Sequence, residues 1–237
     1  MAKRLAGSLM SNLKKLSQLY KANKFELGYI DVYEKYFENI KDKELKILEI
    51  GIDKGPSLKV WSDYFKNSKI IGLDIKPVNL DIKNVELFFG DQTDTKFLTK
   101  IVNKYKYFDI IIDDGSHISK DVIKSFNFLF DYLNNGGLYF IEDLHYSYYP
   151  RYGGSRLNLN KKGTSMNFLK SLTDSINYEN YDRPFYKKDK FNGKINNINF
   201  YQNICVISKN SSKIYLYKER PKTSIFEKIK KQFSKLF

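Results

Sequence analysis

The sequence is poor in cysteine, in histidine and in long apolar runs, and each shortage excludes something. One cysteine, Cys205, in 237 residues rules out an internal disulfide framework and fits a reducing cytoplasm, with Cys205 as a small buried hydrophobe. No run reaches the roughly 18 apolar residues that a membrane span needs. The opening stretch MAKRLAGSLMSNLKKLSQLY lacks the continuous apolar centre of a secretory signal, so a soluble or at most peripheral protein is expected. No internal repeat or low-complexity linker is evident. What is plentiful is core material: 42% of residues are hydrophobic and 16% aromatic, enough for one folded domain with elaborations.

Acid is missing from the first 24 residues, and this makes the formal charge of +14 uneven. Residues 1–24 carry six Lys/Arg, and residues 209–237 carry nine against Glu219 and Glu227, so the body between them is nearly neutral. A duplex-binding protein would spread its basic footprint over the folded body, which makes nucleic acid the weaker reading. Both ends are also amphipathic. Leu5, Leu9, Leu13, Leu16 and Tyr20 recur at spacings of three and four, as do Ile225, Phe226, Ile229, Phe233, Leu236 and Phe237. They are expected as helices that dock on the body or on a partner, a second copy of the chain included, or that lie on an anionic membrane surface. The expected organisation is a basic amphipathic segment over 1–24, a body over 25–210 and a basic amphipathic tail over 211–237.

Within the body, after the helical stretch ELGYIDVYEKYFENI, short apolar runs alternate with helical patterns. Strands are expected at LKILEIG (45–51), KIIGLDI (69–75), VELFFGD (85–91), FDIIIDD (108–114) and GLYFIED (137–143). Their near-continuous Ile/Leu/Phe content suits strands covered on both faces. Between them lie PSLKVWSDYFKN, DTKFLTKIVNKY and ISKDVIKSFNFLFDYLNN, the last expected to stop at Gly136 and Gly137. INNINFYQNICVISK then reads as an antiparallel pair about a Gln202-Asn203 turn. The fold class is therefore α/β, a doubly wound, Rossmann-like and mostly parallel sheet with an antiparallel C-terminal strand pair.

Ligands of such sheets sit at the carboxyl ends of the strands, and here every one of the five ends is polar: Glu49 and Gly51, Asp74, Asp91, Asp113 and Asp114, Glu142 and Asp143. In LEIGIDKGPSL the glycines allow a tight turn, and Asp74 ends the next strand, where an acid can accept hydrogen bonds from ribose hydroxyls. NAD would use the same geometry. Yet the loop lacks the GxGxxG fingerprint, and Glu49 places negative charge where a pyrophosphate would lie; a cationic sulfonium with an amino-acid tail fits better.

The segments ILEIG, IIGLDI, FFGDQTD and FDIIIDDGSH resemble the successive motifs of class I S-adenosylmethionine-dependent methyltransferases. With GGLYFIEDLHYSYYPRYGGS they are similar, more narrowly, to the metal-dependent sugar O-methyltransferases of the macrocin and mycinamicin type. The resemblance runs from about Tyr20 to about Lys209. It implies S-adenosylmethionine as cofactor, with Glu49 and Gly51 at its methionine part, Asp74 at the ribose, Asp91 and Gln92 at the adenine side, and Asp113 in the same pocket.

Methyl transfer from a sulfonium is an in-line displacement, so the protein has to align the acceptor oxygen and make it nucleophilic. The fourth and fifth strands are expected side by side, which brings Asp114, Glu142 and Asp143 together as oxygen ligands without a cysteine, a set that favours Mg2+ over zinc. His117, three residues after Asp114, is placed to accept the hydroxyl proton, and the resemblance implies the same roles. His145, Tyr149 and Arg151, in the aromatic and glycine-rich HYSYYPRYGGSRLNLNKKG, are candidates for the acceptor, with Arg151 and Arg156 suited to an anionic one. The function expected is O-methylation of a sugar hydroxyl on a nucleotide sugar or a surface glycan precursor. Two other readings stay open: another small acceptor, such as a phenol or phosphate derivative, and a nucleic-acid-associated protein that binds through its basic ends.

Overall fold

The computed structural model describes residues 10–178 and 189–211. Seven strands form one sheet: β1 (Lys46–Ile50), β2 (Lys69–Asp74), β3 (Val85–Phe89), β4 (Phe108–Asp113), β5 (Leu133–Ile141), β6 (Ile195–Tyr201) and β7 (Ile204–Lys209). Their order is β3-β2-β1-β4-β5-β7-β6. The first five pair in parallel, whereas β7 runs antiparallel to both β5 and β6. The doubly wound sheet with its antiparallel C-terminal pair is thus the architecture that the residue pattern calls for.

Among the described residues, six α-helices accompany the sheet: α1 (Asn12–Leu19), α2 (Tyr29–Phe37), α3 (Pro56–Tyr64), α4 (Thr95–Tyr105), α5 (Ser119–Leu129) and α6 (Ser165–Ile176). Alternation along the strands sorts the core into two layers. Leu48 and Ile50 of β1 and Ile71 and Leu73 of β2 pack with Leu98 and Ile101 of α4, Phe126 of α5 and Leu169 of α6. On the opposite face, Ile47, Ile70, Ile110 and Phe140 pack with Leu13 of α1, Tyr33 and Phe37 of α2 and Trp61 of α3. Phe37 is the centre of an aromatic cluster there, its ring 5.7 Å from Trp61, 5.0 Å from Phe65 and 5.3 Å from Phe140.

Two boundaries differ from the sequence reading. α5 ends at Leu129, and β5 starts at Leu133, so Gly136 and Gly137 lie inside the strand instead of stopping the helix. Lys209 of β7 reaches across to the carbonyls of Phe130, Asp131 and Leu133 in the turn between α5 and β5. Gly136, at φ +78°, accommodates an irregular β4–β5 register between Phe108 and Ile110.

The N-terminal segment is also more deeply built in than a charged amphipathic end suggests. α1 packs on α2 and α3, and Ala22 and Lys24 beyond it are 3% and 1% exposed. Leu5, Leu9 and the C-terminal apolar set Ile225 to Phe237 lie outside the described residues.

Candidate active site

The strand order reverses between β1 and β4, and a cavity of about 310 Å3 opens at that switch point above the carboxyl ends of β1 to β4. Ile50 and Gly51, Leu73 and Asp74, Gly90 to Gln92, and Gly115, Ser116, Ile118 and Asp121 line it. Gly51 sits at φ +81°, and a Cβ there would lie 2.0 Å from the carbonyl oxygen of Asp114. Only glycine lets the loops after β1 and β4 approach so closely.

The carboxylates on this side are fixed by backbone amides nearby. Asp74 Oδ2 accepts from the amides of Ile52 and Asp53, at 2.9 and 3.1 Å, and its Oδ1 from that of Lys76 at 2.9 Å. Asp91 Oδ1 accepts from the amide of Thr93 at 2.7 Å. Gln92 is buried and joins the loops: its Oε1 accepts from the Ser116 amide at 2.7 Å, while its Nε2 donates to Asp113 and Ser125. Asp113 lies behind the cavity wall, where burial pushes its carboxyl up to about 6, against the hydrogen bonds from Ser125, Gly115 and Gln92.

Glu49 is placed differently from a cofactor contact at the surface of the cavity. It is 0% exposed, accepts from Ser57 Oγ at 2.8 Å and Trp61 Nε1 at 3.1 Å, and is 3.3 Å from Lys24 Nζ. That last approach is an ion pair without a directed hydrogen bond, since Glu49 Oε1 has no hydrogen-bond partner.

Next to the cavity, the ends of β4 and β5 carry the second group of acids. One ligand atom each from Asp114, His117 and Asp143 lie within 4.8 Å of one another. His117 Nε2 is 3.7 Å from Asp143 Oδ2. Both residues hold φ at +56°, a conformation that costs a non-glycine residue energy and that recurs at functional sites. Burial lowers the His117 pKa, so the ring is neutral near pH 7 and its nitrogen is free to take a proton or a metal. The hard oxygen donors, partly buried, fit a small divalent cation.

Glu142 does not join that trio. Its Oε1 accepts from Lys24 Nζ at 2.7 Å and from the Tyr33 hydroxyl, and the residue is 3% exposed. Lys24 Nζ also donates to Asp114 Oδ2 at 2.8 Å, and the Tyr29 hydroxyl donates to Asp143 Oδ1 at 2.6 Å. Burial and then the Asp114 charge push the Glu142 carboxyl up to about 8. Burial opposes the charge on Lys24, but the three carboxylates more than offset it and keep the ammonium protonated. Lys24, Tyr29 and Tyr33 are the site residues that the sequence reading missed; a lysine followed by tyrosines at five and nine residues carries no signal of its own.

The segment after β5 forms a second hollow, of about 610 Å3, lined by His145, Tyr146, Tyr149, Pro150, Arg151, Tyr152 and Arg156. The Arg156 guanidinium lies 4.6 Å from the Tyr149 ring centre, and that of Arg151 4.7 Å from Tyr152. Tyr146 stacks on His117 at 4.9 Å and 15° and meets His145 at 4.2 Å. An aromatic path therefore runs from the acidic trio to this hollow.

Comparison with known proteins points to the same chemistry. Mycinamicin VI 2''-O-methyltransferase of Micromonospora griseorubida is 34% identical over 214 residues, 86% of this chain and 54% of that protein. A tetracenomycin-C 3'-O-methyltransferase of Streptomyces olivaceus, acting on the 2-methoxy-rhamnosyl form, is 33% identical over 87% of this chain and 56% of its own length. The solved MycE methyltransferase of the mycinamycin pathway, in complex with Mg and SAH, superposes with a TM-score of 0.82 at 32% identity, over 96% of this chain and 60% of that one. The chain is similar to these O-methyltransferases over most of its own length. It spans about half the length of the curated relatives it matches, and no protein-family model matches it.

Proposed function

We propose that the chain is an S-adenosylmethionine-dependent, Mg2+-assisted O-methyltransferase acting on a sugar hydroxyl. The observation that carries this reading is the trio Asp114, His117 and Asp143 beside the switch-point cavity. In it, Gly51 and the loop after β1 take the methionine part with Glu49 behind them, Asp74 the ribose, and Asp91 and Gln92 the adenine side, with Asp113 as a buried support. Asp114 and Asp143 hold the cation, and Glu142, held from behind by Lys24 and Tyr33, is the third carboxylate. The cation supplies a lowered hydroxyl pKa and a fixed acceptor position.

His117 then accepts the hydroxyl proton at Nε2, with Asp143 beside it to stabilise the imidazolium. S-adenosylmethionine, held by Gly51, Asp74, Asp91 and Gln92, would supply an electrophilic methyl carbon and a neutral thioether as the leaving group. Because the three ligand atoms include a His117 nitrogen, a second role is favoured by the geometry: His117 as metal ligand in place of Glu142.

The relatives are named for O-methylation of mycinamicin VI and of a 2-methoxy-rhamnosyl tetracenomycin C. For this chain, the tyrosines of the second hollow suit a sugar ring, and Arg151 and Arg156 suit an anionic acceptor such as a nucleotide sugar or a glycan precursor. His145 and Tyr149 line the same hollow. The test is transfer of label from S-adenosylmethionine to a panel of nucleotide sugars, neutral glycosides and glycan extracts, with and without EDTA. Label in a sugar, lost on chelation, is the expected result. Binding of NAD without binding of S-adenosylhomocysteine by calorimetry overturns the reading.

A further inference from the structure

Lys24 is the single lysine among the buried polar groups of the described residues. Its ammonium touches acids from three strand ends: Glu49 on β1, Asp114 after β4 and Glu142 after β5, at 3.3, 2.8 and 2.7 Å. An unpaired buried ammonium is costly, and so are the buried carboxylates of Glu49 and Glu142 without a cation. The arrangement satisfies both demands. The same short segment supplies the Tyr29 hydroxyl to Asp143 and the Tyr33 hydroxyl to Glu142. Every acid of the site past β4 is therefore gripped from one side by residues 24–33.

We infer that Lys24 is a positioning residue: by holding Asp114 through Oδ2 and Glu142 through Oε1, it sets the carboxylates that receive the divalent cation. Outer partners of metal-binding carboxylates orient them, and their loss costs roughly 10–100-fold in metal affinity. The inference rests on the metal reading above. A simple alternative has the opposite sign. If Lys24 were merely a competing cation in the acidic site, its removal would tighten metal binding.

The experiment is Mn2+ binding to the full chain, measured by loss of the free-ion EPR signal, with S-adenosylhomocysteine affinity measured by calorimetry on the same preparations. Wild type is expected to bind Mn2+, and Asp143→Asn is not. Lys24→Met is expected to bind it about 10–100-fold more weakly with unchanged S-adenosylhomocysteine affinity, which a general loss of structure would not spare. Because Lys24→Met leaves buried carboxylates without their cation, the paired variant Lys24→Met/Glu142→Gln removes charge and countercharge together and is the safer fold. It is expected to bind Mn2+ more weakly than Glu142→Gln alone, since Asp114 has lost its anchor. Folded Lys24→Met binding Mn2+ as tightly as wild type or more tightly, or the paired variant binding it as tightly as Glu142→Gln, overturns the role of Lys24. Wild type that binds no Mn2+ overturns the metal reading itself.

Discussion

The two halves of the strand-end surface hold their acids in different ways. Above β1 to β3, Asp74 and Asp91 accept hydrogen bonds from backbone amides of adjoining loops, Asp91 from an amide two residues away. Above β4 and β5, the acids are gripped by side chains from the N-terminal segment: Asp114 and Glu142 by Lys24, 90 and 118 residues distant, and Asp143 by Tyr29, 114 residues distant. Amide-held acids keep their place when a side chain changes. Side-chain-held acids depend on a remote segment, so the β4–β5 half is the one that substitutions should disable.

The largest effect is expected at Asp143. Asparagine suits its φ of +56° and can still accept from Tyr29, so Asp143→Asn should fold normally while losing charge at the cation site. Turnover should fall to the level of wild type in EDTA, with S-adenosylhomocysteine affinity intact. Full activity of this variant in EDTA would show that the acids past β4 serve only the loops.

His117 comes next. Its φ of +56° makes alanine a poor probe, because alanine adds backbone strain to the loss of the ring. In His117→Asn, kcat should drop on the order of 10²–10⁴-fold for a general base, with melting temperature and Mn2+ affinity close to wild type, and part of the rate should return as pH rises. Loss of Mn2+ binding instead would identify His117 as a ligand. A stable variant with unchanged kcat excludes both roles and turns attention to His145.

How much of this was legible follows the same division. The mostly parallel sheet, its antiparallel C-terminal pair and the acids at five strand ends could be read because each signal is contained in one short stretch of chain, such as FDIIIDDGSH. Lys24 could not. In the sequence it is one of six basic residues in a stretch without acid, and its meaning arises only when β1, β4 and β5 bring Glu49, Asp114 and Glu142 around it. The misplaced end of α5 has the same origin, since Lys209, which bonds the carbonyls just past the helix, is 79 residues from Phe130. Glycines 136 and 137 offered a local stop signal, and a distant partner made it unnecessary.

Gly51 is where the two halves touch, so it tests whether they are independent. Gly51→Ala would drive a methyl group to 2.0 Å from the Asp114 carbonyl at a φ of +81°. Backbone strain alone costs about 1–3 kcal/mol, and the loops after β1 and β4 must separate. Both S-adenosylhomocysteine and Mn2+ affinity should fall together. A variant that loses only the first would show that the halves are uncoupled there.

The smallest effect is expected at Ser125, in the wall that the halves share. Its hydroxyl donates to Asp113 Oδ2 at 2.7 Å, and Ser125→Ala should cost about 1–3 kcal/mol as the buried carboxylate loses a donor. The deficit should depend on pH in the metal-free enzyme. Burial holds the Asp113 carboxyl at about 6, above its ordinary value of 3.8, so between these values the folded state binds more protons and stability falls as pH rises. Losing the hydroxyl raises the folded value further and extends that fall upward. The variant should therefore be nearly as stable as wild type at pH 4, with a deficit that grows as pH rises through about 6 and beyond, measured by urea unfolding at each pH. The hydroxyl also reaches the carbonyls of Asp121 and Val122; a deficit independent of pH would assign its contribution to those helix bonds and leave Asp113 supported by Gln92 and Gly115 alone.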